Sequence, residues 1–279
     1  MESKISLFGS TGFIGNEFSL MYDVYQIKRD NDTPKSQTDV LYMISTTHNY
    51  NVFDNPFLDI NTNLTKLIKV LSEFKKVCEG RTFNFISSWF VYGETECPAK
   101  EDSFCNPKGF YSITKRTAEQ LIESYCRTFN INYRILRLCN VYGENATKIS
   151  SKRNALQFMV NKIINNQNIE LYNNGTDIRD FMHVQDVCKA IHLCLDKSPK
   201  NCIINIGSGI PQDFRSIMEY VKGKTNSNSN FISVEPPDFH KIAQVKDMYL
   251  DTTKLIQLGF EQKISINEGL DRIIGANCE

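Results

Sequence analysis

The chain has 279 residues, of which 41% are hydrophobic and 23% charged. That is ordinary for a soluble globular protein and enough for one large domain or two smaller ones sharing a core. Its 32 basic side chains balance 32 acidic ones, which argues against nucleic-acid or membrane-surface binding, since both usually need a net basic face. No apolar run reaches the roughly 20 residues of a membrane span. The opening MESKISLFGSTGFIG lacks a long apolar segment with a small-residue cleavage site, so no secretory leader is expected. Nine cysteines, an odd number without CxxC spacing, read as reduced thiols of a cytoplasmic protein. His48, His183, His192 and His240 lie far apart in the chain, and no metal site is expected.

In chain order, a strand over Ile5–Phe8 runs into Gly9-Ser10-Thr11-Gly12-Phe13-Ile14-Gly15 and a short helix to about Tyr22. A strand over Val24–Ile27 follows, then a polar loop, a strand over Val40–Ile44 and a helix from about Asp59 to Phe74. Ile60, Leu64, Leu67, Ile68 and Leu71 give that helix its apolar spacing. Next come a strand over Thr82–Ile86, a helix over Ser112–Asn130 and a strand over Tyr133–Leu138. Beyond Asn140 the pattern is more mixed. Helices are expected near Asn154–Asn165 and Val184–Leu195, strands near Ile169–Tyr172 and Ile203–Ile206, and a polar low-complexity loop over 225–230. Strands alternating with helices predict an α/β fold: a Rossmann-like, doubly wound parallel sheet with its ligands at the carboxyl edge.

Three groups carry chemistry. Gly9, Gly12 and Gly15, between a strand and a helix, permit a tight turn whose backbone N–H groups approach a pyrophosphate. Thr11, Phe13 and Ile14 belong to the same turn. The spacing is GxxGxxG, so position rather than pattern points to a dinucleotide. At the end of the second strand, where the adenine ribose is contacted, stand Lys28, Arg29 and Asp30. A carboxylate selects a free 2′-hydroxyl and an arginine accepts a 2′-phosphate, so the basic pair favours NADP over NAD. Tyr111 and Lys115 are four apart and share a helix face, so the ammonium is expected to acidify the phenol for acid/base work. Ser87 and Ser88 end a buried strand, where a hydroxyl can hold a reacting oxygen against Tyr111. Taken singly, these features also describe a turn, a solvated loop, an exposed helix pair and a helix cap.

Together, GSTGFIG, SSWFVYG, YSITK and LRLCNVYG, followed by GTDIRDFMHVQDV, NIGSG and LDTTKLIQLGF, resemble the extended short-chain dehydrogenase/reductase family. The resemblance is to its nucleotide-sugar epimerase/dehydratase/reductase branch and covers nearly the whole chain. It implies an NAD(P)-binding domain over 1–142 plus about 181–206. A smaller α/β domain that binds a nucleotide sugar is implied over about 143–180 and 207–279. It further implies Ser88, Tyr111 and Lys115 as catalytic residues, with Lys115 also on the nicotinamide ribose. Asn140 matches a residue near the substrate, Arg179 an arginine that grips the substrate pyrophosphate, and Asn61 an asparagine beside the active site.

Departures from the branch narrow the reaction. Its dehydratases carry an acidic pair just after the catalytic Ser/Thr. Trp89 and Phe90 stand there instead, and they pack on the sugar or fill the core. The 3,5-epimerising reductases that make fucose-type sugars have a cysteine at the place of Phe90. Between Arg29 and Val40 the chain is too short for the usual helix and strand. The expectation is a hydride transfer at a sugar carbon, most plausibly C4, by a 4-ketoreductase. A 4-epimerase with tightly bound NAD is the alternative, and a catalytically silent dinucleotide sensor the second. A homodimer is expected, for which Ala118, Leu121, Ile122 and Tyr125 either form the seam or face the sheet. Nothing in Lys148–Asn154 identifies the nucleotide base.

Overall fold

The computed structural model describes residues 5–146, 150 and 154–278, so most of Lys148–Asn154 lies outside the described residues. Six strands form one parallel sheet: β1 (Ile5–Phe8), β2 (Val24–Ile27), β3 (Val40–Tyr42), β4 (Thr82–Ser88), β5 (Asn132–Leu138) and β6 (Cys202–Ile206). Their spatial order is β2-β1-β3-β4-β5-β6. The chain steps outward from β1 to β2, then returns to the other side of β1 as β3. This reversal opens a crevice at the carboxyl ends of β1 and β3, the position where ligands bind in such sheets.

The main helices are α1 (Phe13–Met21), α2 (Lys66–Lys75), α3 (Phe110–Thr128), α4 (Ala155–Ile164), α5 (Val184–Lys197), α6 (Phe214–Thr225) and α7 (Ile266–Cys278). The sheet is covered on both faces, so its central strand β4 is buried at all seven positions. On one face Phe8, Tyr42, Phe83, Phe85 and Ile135 pack under α2 and α3. On the other, Leu7, Leu41, Leu136 and Ile204 pack under α1 and α5. A third apolar cluster joins α4, α6 and α7 to a parallel pair formed by Ile169–Tyr172 and Phe231–Val234.

As the short spacing between Arg29 and Val40 implied, the sheet ends at β2 and the link to β3 is a loop. Its backbone is tied down by Lys35 N–H donating to Ser6 Oγ (2.9 Å) and by Lys66 Nζ donating to the Arg29 carbonyl (2.8 Å). The single helix expected over Asp59–Phe74 is a turn at Phe57–Asp59, a π-helical stretch at Ile60–Thr65 and then α2. The wider turn shifts which side chains face inward. Asn61 is exposed, and Asn63 is buried in its stead. Helices α6 and α7 were not expected, because glycines and charged residues within them obscure their apolar stripes. In the polar run at 225–230, Ser227 and Ser229 are buried and hydrogen-bond each other (2.8 Å), with Ser227 also donating to the Ile163 carbonyl. Ala118 and Ile122 face the sheet. Among the described residues no helix is long and apolar enough to cross a membrane.

Candidate active site

The glycine turn closes the crevice on the β1 side. Gly9 adopts φ 94°, open to glycine but strained for other residues. Gly12 N–H donates to the Gly9 carbonyl (3.0 Å) and precedes α1 without a side-chain cap. At Gly15 a Cβ would lie 2.2 Å from the Gly9 oxygen, so turn and helix can meet only through glycine. Thr11 and Gly12 are exposed, and Phe13 and Ile14 half-buried. Uncapped N–H groups at a helix start behind a close glycine turn fit the pyrophosphate of a dinucleotide. At the ribose end, Lys28, Arg29 and Asp30 are all exposed. A cavity of about 470 Å³ opens there, lined by Gln26, Ile27, Lys28, Asp30, Asn31 and Lys35.

Across the crevice, β4 delivers Ser88 and the first turns of α3 deliver Tyr111 and Lys115, all three buried. Ser88 Oγ accepts from Phe90 N–H (3.3 Å), which leaves the serine proton to be given elsewhere. Tyr111 and Lys115 share a face by their spacing, and the ammonium is engaged by a backbone carbonyl. Lys115 Nζ donates to the Ile86 carbonyl (2.7 Å) and lies 4.5 Å from the centre of the Phe85 ring. Burial lowers this lysine to about 7, against the pull of Glu119. Burial pushes the Tyr111 phenol up to about 12; a hydrogen bond with Ser88 opposes this and the Asp59 charge adds to it. The expected acidified phenol is therefore corrected: desolvation outweighs any help from Lys115, and Tyr111 is a protonated phenol at neutral pH.

Helix α3 is set in place by a remote side chain. Asn49 Oδ1 accepts from Ser112 N–H (3.2 Å) at its first turn, while Ser112 and Gly109 bond reciprocally (3.0 and 2.8 Å). Trp89 is 3% exposed and stacks on Phe90 with centroids 3.8 Å apart, and Phe90 meets Tyr111 edge-on at 5.8 Å. Trp89 thus fills core, and half-buried Phe90 is the ring left facing the site. Asn140 accepts from Trp89 Nε1 (3.3 Å) and donates to the Asp180 carbonyl (3.0 Å). Arg179 is buried over Trp89, and its fork donates to the carbonyls of Ile178, Val245 and Lys246 (2.6–2.8 Å). Burial lowers it from the usual arginine value, with Asp177 and Asp247 nearby opposing that.

Two groups around Tyr111 went unnoticed in the sequence. One is Ser45, Thr46, Asp59 and Asn63, joined by hydrogen bonds beneath the tyrosine. Hydroxyls just after a central strand, at the switch point, were the available signal. The other is Glu119, one turn beyond Lys115. It accepts from Ser87 Oγ (2.6 Å), Arg116 (2.8 Å) and both sides of the Arg137 fork (3.0 and 2.8 Å).

Known proteins match the sequence and fold of this chain. The model of the NAD dependent epimerase/dehydratase family matches residues 23–207. A putative UDP-glucose 4-epimerase of Methanocaldococcus jannaschii is 30% identical over 225 residues, 80% of this chain and 72% of that one. A dTDP-4-dehydro-6-deoxyglucose reductase of Escherichia coli is 26% identical over 185 residues, 66% of this chain and 57% of that one. The fold superposes on the crystal structure of the Thermotoga maritima UDP-glucose 4-epimerase with UDP-glucose at a TM-score of 0.85 and 22% identity. That match covers 99% of this chain and 98% of that one. On these matches the chain is an enzyme of the NAD dependent epimerase/dehydratase family, within the extended short-chain dehydrogenases/reductases.

Proposed function

We propose that the enzyme is an NADPH-dependent 4-ketoreductase of nucleotide sugars. The observation that carries this reading is the protonated Tyr111 beside Ser88, walled by Phe90 where an eliminating enzyme of the branch keeps an acid. When bound, the nicotinamide supplies the hydride. Ser88, its oxygen already accepting from Phe90 N–H, donates to the sugar carbonyl oxygen and orients it. Tyr111 gives its phenolic proton to the same oxygen as it becomes a hydroxyl. Lys115 is assigned to the nicotinamide ribose. Gly9, Thr11, Gly12, Phe13, Ile14 and Gly15 are assigned to the pyrophosphate, and Lys28, which lines the cavity at the end of β2, and the exposed Arg29 are assigned to a 2′-phosphate. Asn140 and Arg179 are assigned to the substrate side, where Phe90 rather than the core-filling Trp89 is the ring that faces it. The third apolar cluster supports a nucleotide-sugar-binding domain over about 143–180 and 207–279. Eight described cysteines are free, in keeping with a cytoplasmic enzyme. Half-buried Leu121, which stands outside the apolar cluster that takes in Ala118 and Ile122, suits a homodimer seam.

A second reading, a 4-epimerase with retained NAD, is favoured by the 30% identity to the Methanocaldococcus protein. One experiment separates the two. UDP-, dTDP- and CDP-linked sugars and their 4-keto forms are incubated with NADPH or NADH, and the products are identified by NMR. Stoichiometric NADPH consumption with a 4-keto sugar is expected. Co-purified NAD, with sugar isomers formed and no net consumption, makes it the epimerase.

A further inference from the structure

Helix α3 grips the end of β4 at two points, and the reaction as assigned accounts for only one of them. Strand β3 pairs with β4 as far as Phe85 and stops, so Ile86, Ser87 and Ser88 keep β5 as their one strand neighbour. Tyr111, Lys115 and Glu119 stand four residues apart on successive turns of α3, and all three are buried. Lys115 Nζ donates to the Ile86 carbonyl (2.7 Å), and Glu119 Oε1 accepts from Ser87 Oγ (2.6 Å). Alternation along β4 sends Phe83 and Phe85 to the face under α2 and α3, and Ile86 to the other. Ser87 therefore faces α3. Ser88 is turned from it to cap the turn that begins at Trp89, where its Oγ accepts from Phe90 N–H (3.3 Å). Phe90 in turn meets the Tyr111 ring edge-on.

The carboxylate that holds Ser87 is itself fixed. Its Oε1 also accepts from Arg137 Nε (3.0 Å), and its Oε2 accepts from Arg137 Nη2 (2.8 Å) and Arg116 Nη1 (2.8 Å). Each oxygen takes two donors, so the group cannot turn without breaking one. Arg137 stands directly opposite Ser87 on β5, with Nη1 on the Glu101 carbonyl (3.1 Å) and its guanidinium 4.7 Å from the centre of the Tyr92 ring. Glu119 thus grips a cross-strand pair one residue before Ser88. Stability alone does not call for it, because apolar packing in place of a buried ion pair is often neutral or better.

We propose that Glu119 is a positioning residue of the catalytic centre: by holding Ser87 and Arg137 it fixes the register of α3 on the one-sided end of β4, and with it the place of Ser88 relative to Tyr111. This rests on the reading of Ser88 and Tyr111 as the reacting pair. Lys115 does not serve in its stead, because its ammonium is assigned to the nicotinamide ribose, whereas Glu119 is committed to protein groups. A reacting group misplaced by about 1 Å can lose about a hundredfold in rate.

The test separates placement from stability. Ser87→Ala removes the bond and leaves Glu119 with both arginines. Its crystal structure is compared with the parent's, NADPH binding is followed by fluorescence, and kcat is measured with the 4-keto sugar that the parent reduces. Expected are a Ser88 hydroxyl moved by about 1 Å, a kcat lower by about tenfold or more and an NADPH Kd within about twofold of the parent's. Glu119→Gln should move Ser88 and kcat in the same direction, and the double variant should lose no more than the worse single one. Should Glu119→Gln strand Arg137 and fail to fold, Ser87→Ala alone carries the test. A Ser88 that stays in place in Ser87→Ala, or a lowered melting temperature with kcat intact, overturns the proposal, as do losses that add in the double variant. Should the parent reduce no 4-keto sugar, or Ser88→Ala keep full turnover, the reading of the active site fails instead, and the crystal position of Ser88 still decides whether Glu119 holds it.

Discussion

At the scale of single residues, Tyr111 and Lys115 show how far a motif can be trusted. YSITK placed both on one helix face, but pairwise spacing says nothing of desolvation. A buried phenol and a buried ammonium each shift toward neutrality, and that cost exceeds their mutual attraction when the ammonium faces a carbonyl instead. Asp59 and Asn63 were invisible for a related reason: a buried carboxyl looks like any helix-start aspartate until its neighbours are known. Two outcomes follow from the protonation states. Tyr111→Phe, which keeps the ring but removes the acid, should lower kcat by about 10²–10⁴-fold with cofactor affinity retained, as steady-state kinetics and cofactor titration would show. Lys115→Met should abolish turnover while stabilising the fold. The lysine's folded value, about 7, lies below its usual 10.5. Below about 7 the folded chain must therefore hold a buried ammonium. That penalty fades as pH rises from about 7 to 10.5, because only the unfolded chain then binds the proton. The variant should gain on the order of 2 kcal/mol at pH 6.5 and almost nothing near pH 10.5. Thermal melts across that range check the sign.

At the scale of elements, the strands of the main sheet and the helices between them were legible because their apolar runs are long and bounded by glycine or polar turns. The entry to α2 was not. A π-helical stretch widens the turn and shifts which side chains face inward, and the family resemblance had named Asn61 where the structure buries Asn63. The start of α3 was unreadable in another way. Its cap comes from Asn49, 63 residues upstream of Ser112, and no local window contains both. Gly109 makes this contact possible, because a Cβ there would sit 2.2 Å from Asn49 Oδ1. Gly109→Ala should therefore displace the Asn49 carboxamide, leave Ser112 N–H without its acceptor and shift the turn that carries Tyr111. A loss of about 2 kcal/mol is expected from the missing cap and the crowding. It should come with a kcat deficit that Asn49→Ala reproduces, because both variants remove one contact. Chemical denaturation and kinetics on the pair, with the double variant, check that the losses do not add.

For the molecule as a whole, the missing helix and strand after β2 were legible as a simple shortage of residues, whereas the contact between the loop after β3 and a distant segment was not. Residues 238–246 reach from the third apolar cluster toward the loop after β3. Phe239 packs edge-on against Phe53 (4.7 Å) and Tyr50 (5.2 Å), and Tyr50 Oη lies 3.2 Å from His240 Nδ1. Below them, Arg179 holds the carbonyls of Val245 and Lys246. Burial, with the Arg179 charge adding to it, lowers His240 from its ordinary value, so this aromatic clasp carries no extra charge near neutrality. Phe53 is 64% exposed, which is costly for a phenylalanine that only braces the fold but natural for one that meets a closing segment. Two edge-on ring pairs contribute about 1–2 kcal/mol. Phe239→Ala should accordingly weaken nucleotide-sugar binding about tenfold, seen as a raised KM with kcat within about twofold, because Tyr111 and Ser88 stand on other elements. The melting temperature should hardly move, since the rings lie at the surface. A variant that melts many degrees lower with KM unchanged would instead make the clasp a brace between two parts of the fold, with no hold on the substrate.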